Sequence, residues 1–207
     1  MSNTLGVREA QKRKTRQALL EAGLGLLEEQ SLSSLGLREV TRVVGVAPAA
    51  FYRHFRDMAD LGVALVEEAL GSLHAMIRTV LAEQADPESL IDRSVEVVAA
   101  HVREHPAHVR FIARERHGGV RAVREAIGAE LARFGDEVAE ALAAQPLSEG
   151  WSAEDVRMLA GLYVDHFVMT ASAFLEAPPD ETPRIADVAR RQLLLISLGR
   201  RHWLHPA

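Results

Sequence analysis

Cysteine is absent from the 207 residues, which excludes a disulfide framework, a thiolate metal site and a thiol nucleophile. Long apolar runs are missing as well. No stretch free of Asp, Glu, Lys and Arg exceeds ten residues, whereas a membrane-spanning helix needs about twenty. The start, with Lys12-Arg13-Lys14 and then Leu19-Leu20-Glu21, lacks the unbroken apolar stretch of a secretory signal. No segment sustains period-two alternation, and there is no internal repeat or low-complexity tract. These absences predict a soluble, cytoplasmic protein with no membrane partner. What is present is 48% apolar residues, enough for the core of one or two domains.

Charge is distributed unevenly. Residues 1–56 carry nine Lys/Arg against five Asp/Glu, a balance of +4, and residues 57–207 carry fifteen against twenty-four, a balance of −9. A basic head on an acidic body predicts that the head meets a polyanion and the body does not.

Helical periodicity runs through nearly the whole chain. Leu19, Leu20, Gly23, Leu26 and Leu27 share a face between Arg8 and Gln30. Short helices follow at about Leu37–Val44 and Pro48–Phe55, and Asp57 reads as the N-cap of a longer helix to about Glu83. Asp86-Pro87 opens the next helix, which His105-Pro106 ends. Further helices are predicted at Ala107–Arg116, Val120–Ala144, Ser152–Leu175 and Thr182–Arg201. The fold class is all-α with about nine helices, divided into a head, 1–56, and a body, 57–207.

The head has a recognisable arrangement. Val40, Val43 and Val44 are predicted to face inward from one short helix, Phe51 and Phe55 from the next. Gly45 between them can adopt the left-handed conformation that re-aims the chain, and Pro48 suits a first helical turn. This is the helix-turn-helix arrangement, in which the second helix can enter a major groove. Ala49 and Ala50 let that helix approach the bases. Tyr52 and His54 can bond phosphate oxygens, and Arg53 can do so or read guanine. Arg38 is a further base or phosphate contact, and Lys12, Arg13, Lys14 and Arg16 neutralise flanking backbone. The competing description is an ordinary helical hairpin with a solvated basic rim.

Gly45-Val46 followed by Phe51-Tyr52-Arg53-His54-Phe55, with Leu61 entering the next helix, closely resembles the DNA-binding head of the TetR family of bacterial repressors. The resemblance implies a homodimer on palindromic double-stranded operator DNA, with an effector pocket in the body. It assigns base reading to Arg38, Ala49 and Ala50, beside Pro48, and phosphate contact to Tyr52 and His54. Two residues depart from the pattern: Ala47 stands where a small hydroxyl cap is usual, and Met58 where Lys is usual, so that Arg56 is the candidate replacement contact. Ala47-Pro48, Arg56-Asp57, Leu61-Gly62, Arg114-Glu115-Arg116, Ile196-Ser197-Leu198-Gly199 and Trp203 also look like the repressors of unsaturated fatty acid synthesis (FabR and DesT types). That narrower resemblance implies a long-chain acyl thioester effector, on coenzyme A or acyl carrier protein, and control of desaturase or unsaturated fatty acid genes. No cofactor is implied.

The body reads as a bundle able to line a pocket. Val95, Val98, Phe134, Leu162, His166, Phe167, Thr170 and Phe174 are candidate lining residues, with Phe111 beside them, although ordinary core packing explains any one of them. Arg110, Arg114 and Arg116 lie next to Gly118-Gly119 and are candidates for the phosphates of a coenzyme A head group, or for plain salt bridges. The last two helices carry apolar side chains for a self-complementary dimer contact, with Leu193, Leu194 and Ile196 as interface or core candidates. Alternatives kept open are a regulator of the same fold sensing another apolar compound, such as an efflux substrate, and a helical interaction module without DNA binding.

Enzyme readings find little support. His101-Val102-Arg103-Glu104-His105 fits the H-x-x-E-H pattern of zinc peptidases, but Pro106 ends the helix at once, and an adventitious surface pair is the better description. Asp165-His166 point to different helix faces, and Gly23-Leu24-Gly25 lacks the third glycine of a dinucleotide site. The chain is expected not to be an enzyme.

Overall fold

The computed structural model describes residues 2–83 and 86–204, and among them nine α-helices, two single-turn 3-10 helices and no strand. In chain order the helices are α1 (Ser2–Leu26), α2 (Leu37–Val44), α3 (Pro48–Phe51), α4 (Met58–Leu81), α5 (Pro87–Glu104), α6 (Pro106–Glu115), α7 (Arg121–Ala143), α8 (Ala153–Glu176) and α9 (Thr182–His202). Their ends follow from local chemistry. Asp86 caps α5 by accepting from the amides of Glu88 and Ser89, both at 3.0 Å. Ser152 caps α8 through the amide of Asp155 at 3.0 Å. At the head of α4, Asp57 accepts from the amide of Asp60 at 2.8 Å, and Asp60 accepts in return from the amide of Arg56 at 2.9 Å.

The chain forms two compact units. The first comprises Met1–Ala69 and Arg110–Ile127, the second Leu70–Val109 and Gly128–Ala207. Thus α4, α6 and α7 each contribute residues to both. Buried in the first unit are Leu19, Leu20, Leu32, Val40, Phe51, Phe55, Leu61, Leu65, Phe111, Val123 and Ile127. In the second unit, one core cluster joins Val95, Val98 and Val102 of α5 to Phe174 of α8 and to Ala189 and Leu193 of α9. Another joins Ala139 and Leu142 of α7 to Val156, Leu159 and Ala160 of α8. Arg200 of α9 is buried at the carboxyl end of α7, where it donates to the carbonyl of Leu142 and to Gln145 and Ser148.

Several details differ from the sequence expectations. The helix expected at Pro48–Phe55 closes as α3 after four residues, and Ala47 before it supplies no side-chain cap. The chain continues as a tight turn, with the Arg53 amide donating to Ala50 and the His54 amide to Phe51. Val43, expected inward, is 62% exposed, and Thr41 is buried in its stead with its hydroxyl donating to the Leu37 carbonyl at 3.0 Å. Among the described helices, α8 is long and apolar enough by length and composition to cross a membrane; it carries exposed Arg157 and Asp165 and supplies residues to both core clusters.

Candidate nucleic-acid interface

The turn between α2 and α3 has the geometry that the sequence foretold. Gly45 ends α2 at φ 75° and ψ 29°, the left-handed region, and its amide and that of Val46 return to the last carbonyls of α2. At the other end of α2, Glu39 accepts from the Gly36 amide at 3.0 Å and from Gln30 at 3.3 Å. The first of these bonds is the main reason its carboxyl is held below the usual range. Phe51, fully buried, packs against Phe55 with ring centroids 5.6 Å apart and meets Tyr52 in a T-shaped contact. The aromatic core therefore fixes the end of the helix-turn-helix and turns its polar residues outward.

Those polar residues are accessible. Arg38, Pro48, Ala49, Tyr52 and Arg53 are exposed, and Ala50 and His54 are half-buried. On α1, Lys12, Arg13, Lys14 and Arg16 are all exposed, and the Arg16 guanidinium lies over the Phe55 ring at 5.2 Å from its centroid. Partial burial, followed by the charges of Lys12, Arg16 and Arg53, pushes the His54 imidazole below its ordinary pKa. The middle of α1 and the turn after α3 therefore form one positive field. Arg56, the candidate replacement contact, is drawn into an ion pair with Asp60 at 3.0 Å while remaining open to solvent.

The candidate ligand residues of the body divide between the two units. Arg110, Phe111, Arg114 and Arg116 belong to the first, the remainder to the second. Arg110 is paired with Glu28 at 3.0 Å, and Arg114 donates to the carbonyls of Leu27, Gln30 and Glu28, so the structure gives both a protein partner where phosphates were anticipated. Arg116 is half-buried and Phe111 buried. Val95, Val98 and Phe174 lie in the packed core, with Phe167 and Tyr163 against it. Thr170 is buried beside His166, their side chains 3.4 Å apart. Burial holds the His166 imidazole below its usual pKa. Phe134 stacks face to face on His74 at 3.5 Å, and the two ring nitrogens of His74 face Glu137 and Glu130 at 3.3 and 3.2 Å. Leu162 is 47% exposed. A shallow open pocket of about 290 Å³ in the second unit is bounded by Leu131, Gly135 and Asp136 of α7 and by Arg157, Gly161 and Asp165 of α8.

His101 corrects the sequence reading: it is no surface residue but 4% exposed, with Nδ1 lacking a hydrogen-bond partner. Burial, helped by neighbouring His105 and His108, lowers its pKa to about 4. Its ring centroid is 5.0 Å from that of His105, yet among the described residues no group of three or more His, Cys, Asp and Glu could hold a metal ion.

Residues 19–65 match the family model for bacterial regulatory proteins of the tetR family. The whole fold is similar to solved regulators at low sequence identity. FadR from Bacillus subtilis, in complex with stearoyl-CoA, is 14% identical over 87% of this chain and 96% of that one, at a TM-score of 0.69. The fatty acid degradation regulator FadR from Bacillus halodurans is 16% identical over 87% and 94%, at 0.68. The regulatory protein TetR from Rhodobacter sphaeroides is 22% identical over 84% and 96%, at 0.62. The residues that build the turn, its aromatic anchor and its exposed basic rim all fall within or beside the matched segment, so the likeness to bacterial regulatory proteins of the tetR family rests on the helix-turn-helix itself.

Proposed function

We propose that the protein is a homodimeric repressor whose affinity for a palindromic operator is set by a long-chain acyl thioester bound in the body. The genes controlled would be those of unsaturated fatty acid synthesis or desaturation. The observation that carries the effector reading is the likeness in fold to FadR regulators, one of them bound to stearoyl-CoA. The apolar contacts between α5, α8 and α9 supply a region that an acyl chain can enter by parting side chains such as Val95, Val98, Phe167 and Phe174. Polar Thr170 and His166 lie at the same helices for the thioester end.

Two recognition elements must stand about one DNA turn apart, roughly 34–36 Å, to enter successive major grooves. A dimer held through α8 and α9 sets that spacing, and α4, continuous from the head into the body, carries any change made by the ligand. The ligand shifts the balance only by its differential affinity for the two states.

The test is a gel shift on the promoter beside the protein's own gene, with stearoyl- and oleoyl-coenzyme A. The two thioesters are expected to change operator affinity to different extents. Equal, negligible effects would remove the acyl reading and leave the regulator; a thermal-shift screen of apolar compounds would then search for another effector.

A further inference from the structure

We propose that Arg114 and Glu115, at the carboxyl end of α6, are positioning residues of the DNA-binding domain, which residues 1–56 alone do not complete. Their partners are the backbone of the segment between α1 and α2. Nη1 of Arg114 donates to the carbonyls of Leu27 and Gln30 at 2.8 and 2.9 Å, and Nη2 to that of Glu28 at 3.2 Å. One turn earlier on α6, Arg110 pairs with the Glu28 carboxylate. Glu115 Oε1 accepts from the amide of Leu32 at 2.9 Å. Leu27, Glu28 and Gln30 lie in the turns that follow α1, and a planar guanidinium able to reach three of their carbonyls ties those turns to α6.

The grip is buried where it matters. Glu115 is 1% exposed and Leu32 is 2% exposed. Leu32 and Val123 of α7 both stand against Gly62 of α4, so tightly that a methyl group at position 62 would collide with both side chains. Arg124 of α7 steadies the turn after α6 by donating to the Gly118 carbonyl at 2.6 Å. Hence the segment joining α1 to α2 is tied down by α6, α4 and α7 together, within one compact unit that includes residues 110–127.

That segment sets the angle between α1, with its row of basic residues, and α2, with Arg38. Phosphate contacts from one and base or phosphate contacts from the other can be made at once only if that angle is right. Arg114 and Glu115 thus act on DNA through the segment they hold, without touching it.

The experiment uses the full chain and a duplex selected by the wild-type protein from a randomised pool. Arg114→Ala, Arg114→Lys and Glu115→Leu should each weaken binding about tenfold, the scale of losing hydrogen bonds to a charged group. Lys keeps the charge but not the fork. Glu115→Gln should bind within about twofold of wild type, because its amide oxygen still accepts from Leu32 and the carboxylate oxygen it replaces has no donor to lose. The slope of log affinity against log salt should be unchanged, since no phosphate contact is removed. Amide exchange should quicken over residues 27–35 and stay slow in α8 and α9. Wild-type affinity in Arg114→Ala would overturn the proposal. So would a salt slope smaller by about one, which marks a direct phosphate contact, or loss of protection throughout the chain, which marks a purely structural role. Equal losses in Glu115→Gln and Glu115→Leu would remove Glu115 from it.

Discussion

At the scale of single residues, exposure and partnership separate side chains free to meet DNA from those that serve the fold. Tyr52 is 59% exposed and meets Phe51 in a T-shaped ring contact, and Arg38 is exposed on α2. Tyr52→Phe and Arg38→Ala should each weaken operator binding by about 1–3 kcal/mol, the range of a phosphate or base hydrogen bond. Surface positions of this kind move stability by no more than about 0.5 kcal/mol. Fluorescence anisotropy with a labelled operator, alongside thermal melts, checks both halves; unaltered affinity in both variants would contradict the head assignment. His101 behaves in the opposite sense. Its burial holds the pKa at about 4, whereas in an unfolded chain the ring takes a proton near pH 6.5. The folded state therefore prefers the neutral ring, and stability falls as pH drops through the window from about 6.5 towards about 4. Between about pH 7 and pH 5 the loss assignable to this residue is about 2 kcal/mol. Urea midpoints at the two pH values, compared with those of His101→Leu, isolate it: the variant should show the smaller drop.

At the scale of elements, the helices were largely legible because their ends are written in short-range chemistry. Asp57, Asp86 and Ser152 are caps that can be read three residues at a time, and Gly45 is the one residue in its turn that takes φ 75° without strain. What misled was counting apolarity alone. In α2 the periodic pattern turns Val43 inward, but Thr41 fills the buried position because its hydroxyl is satisfied by the Leu37 carbonyl, and an internally bonded threonine packs like a small apolar residue. The recognition element came out shorter than its apolar pattern suggests because Phe51 and Phe55 can be buried by a turn as well as by a helix. Gly62 illustrates a contact that no local pattern announces. Gly62→Ala forces Leu32 or Val123 to move, and overpacking of this kind costs about 1–3 kcal/mol. The variant should melt at lower temperature and bind its operator more weakly, and calorimetry with an operator titration reads both. An unshifted melt would mean that the crowding around Leu32 is relieved at no cost.

At the scale of the whole molecule, the fold class followed from periodicity, but the partners of α6 did not, since Arg114 and the carbonyl of Leu27 are 87 residues apart in sequence. Periodicity likewise turned Val95, Val98 and Phe174 inward without deciding between a pocket and a packed core. It also left open which apolar residues stay outside. Met158, Leu162 and Met169 on α8 and Val188, Leu195 and Leu198 on α9 are exposed and fall near helical repeats on their own helices. Isolated exposed apolar residues need no explanation, but stripes on two successive helices fit a face covered by a second copy of the chain. Leu195, 71% exposed, makes the clearest probe. A carboxylate there is fully hydrated in the monomer, so Leu195→Glu should leave helicity and folding intact. In a twofold interface the same charge is buried twice, once on each copy, against an apolar face where neither water nor a counter-ion relieves it. The variant should therefore sediment as a monomer at micromolar concentration. It should also lose operator affinity about a hundredfold or more, because each head then binds its half-site without the effective concentration that a tethered partner supplies. If it remains a dimer with wild-type affinity, α9 does not form the contact that spaces the heads, and the stripe on α8 becomes the place to search.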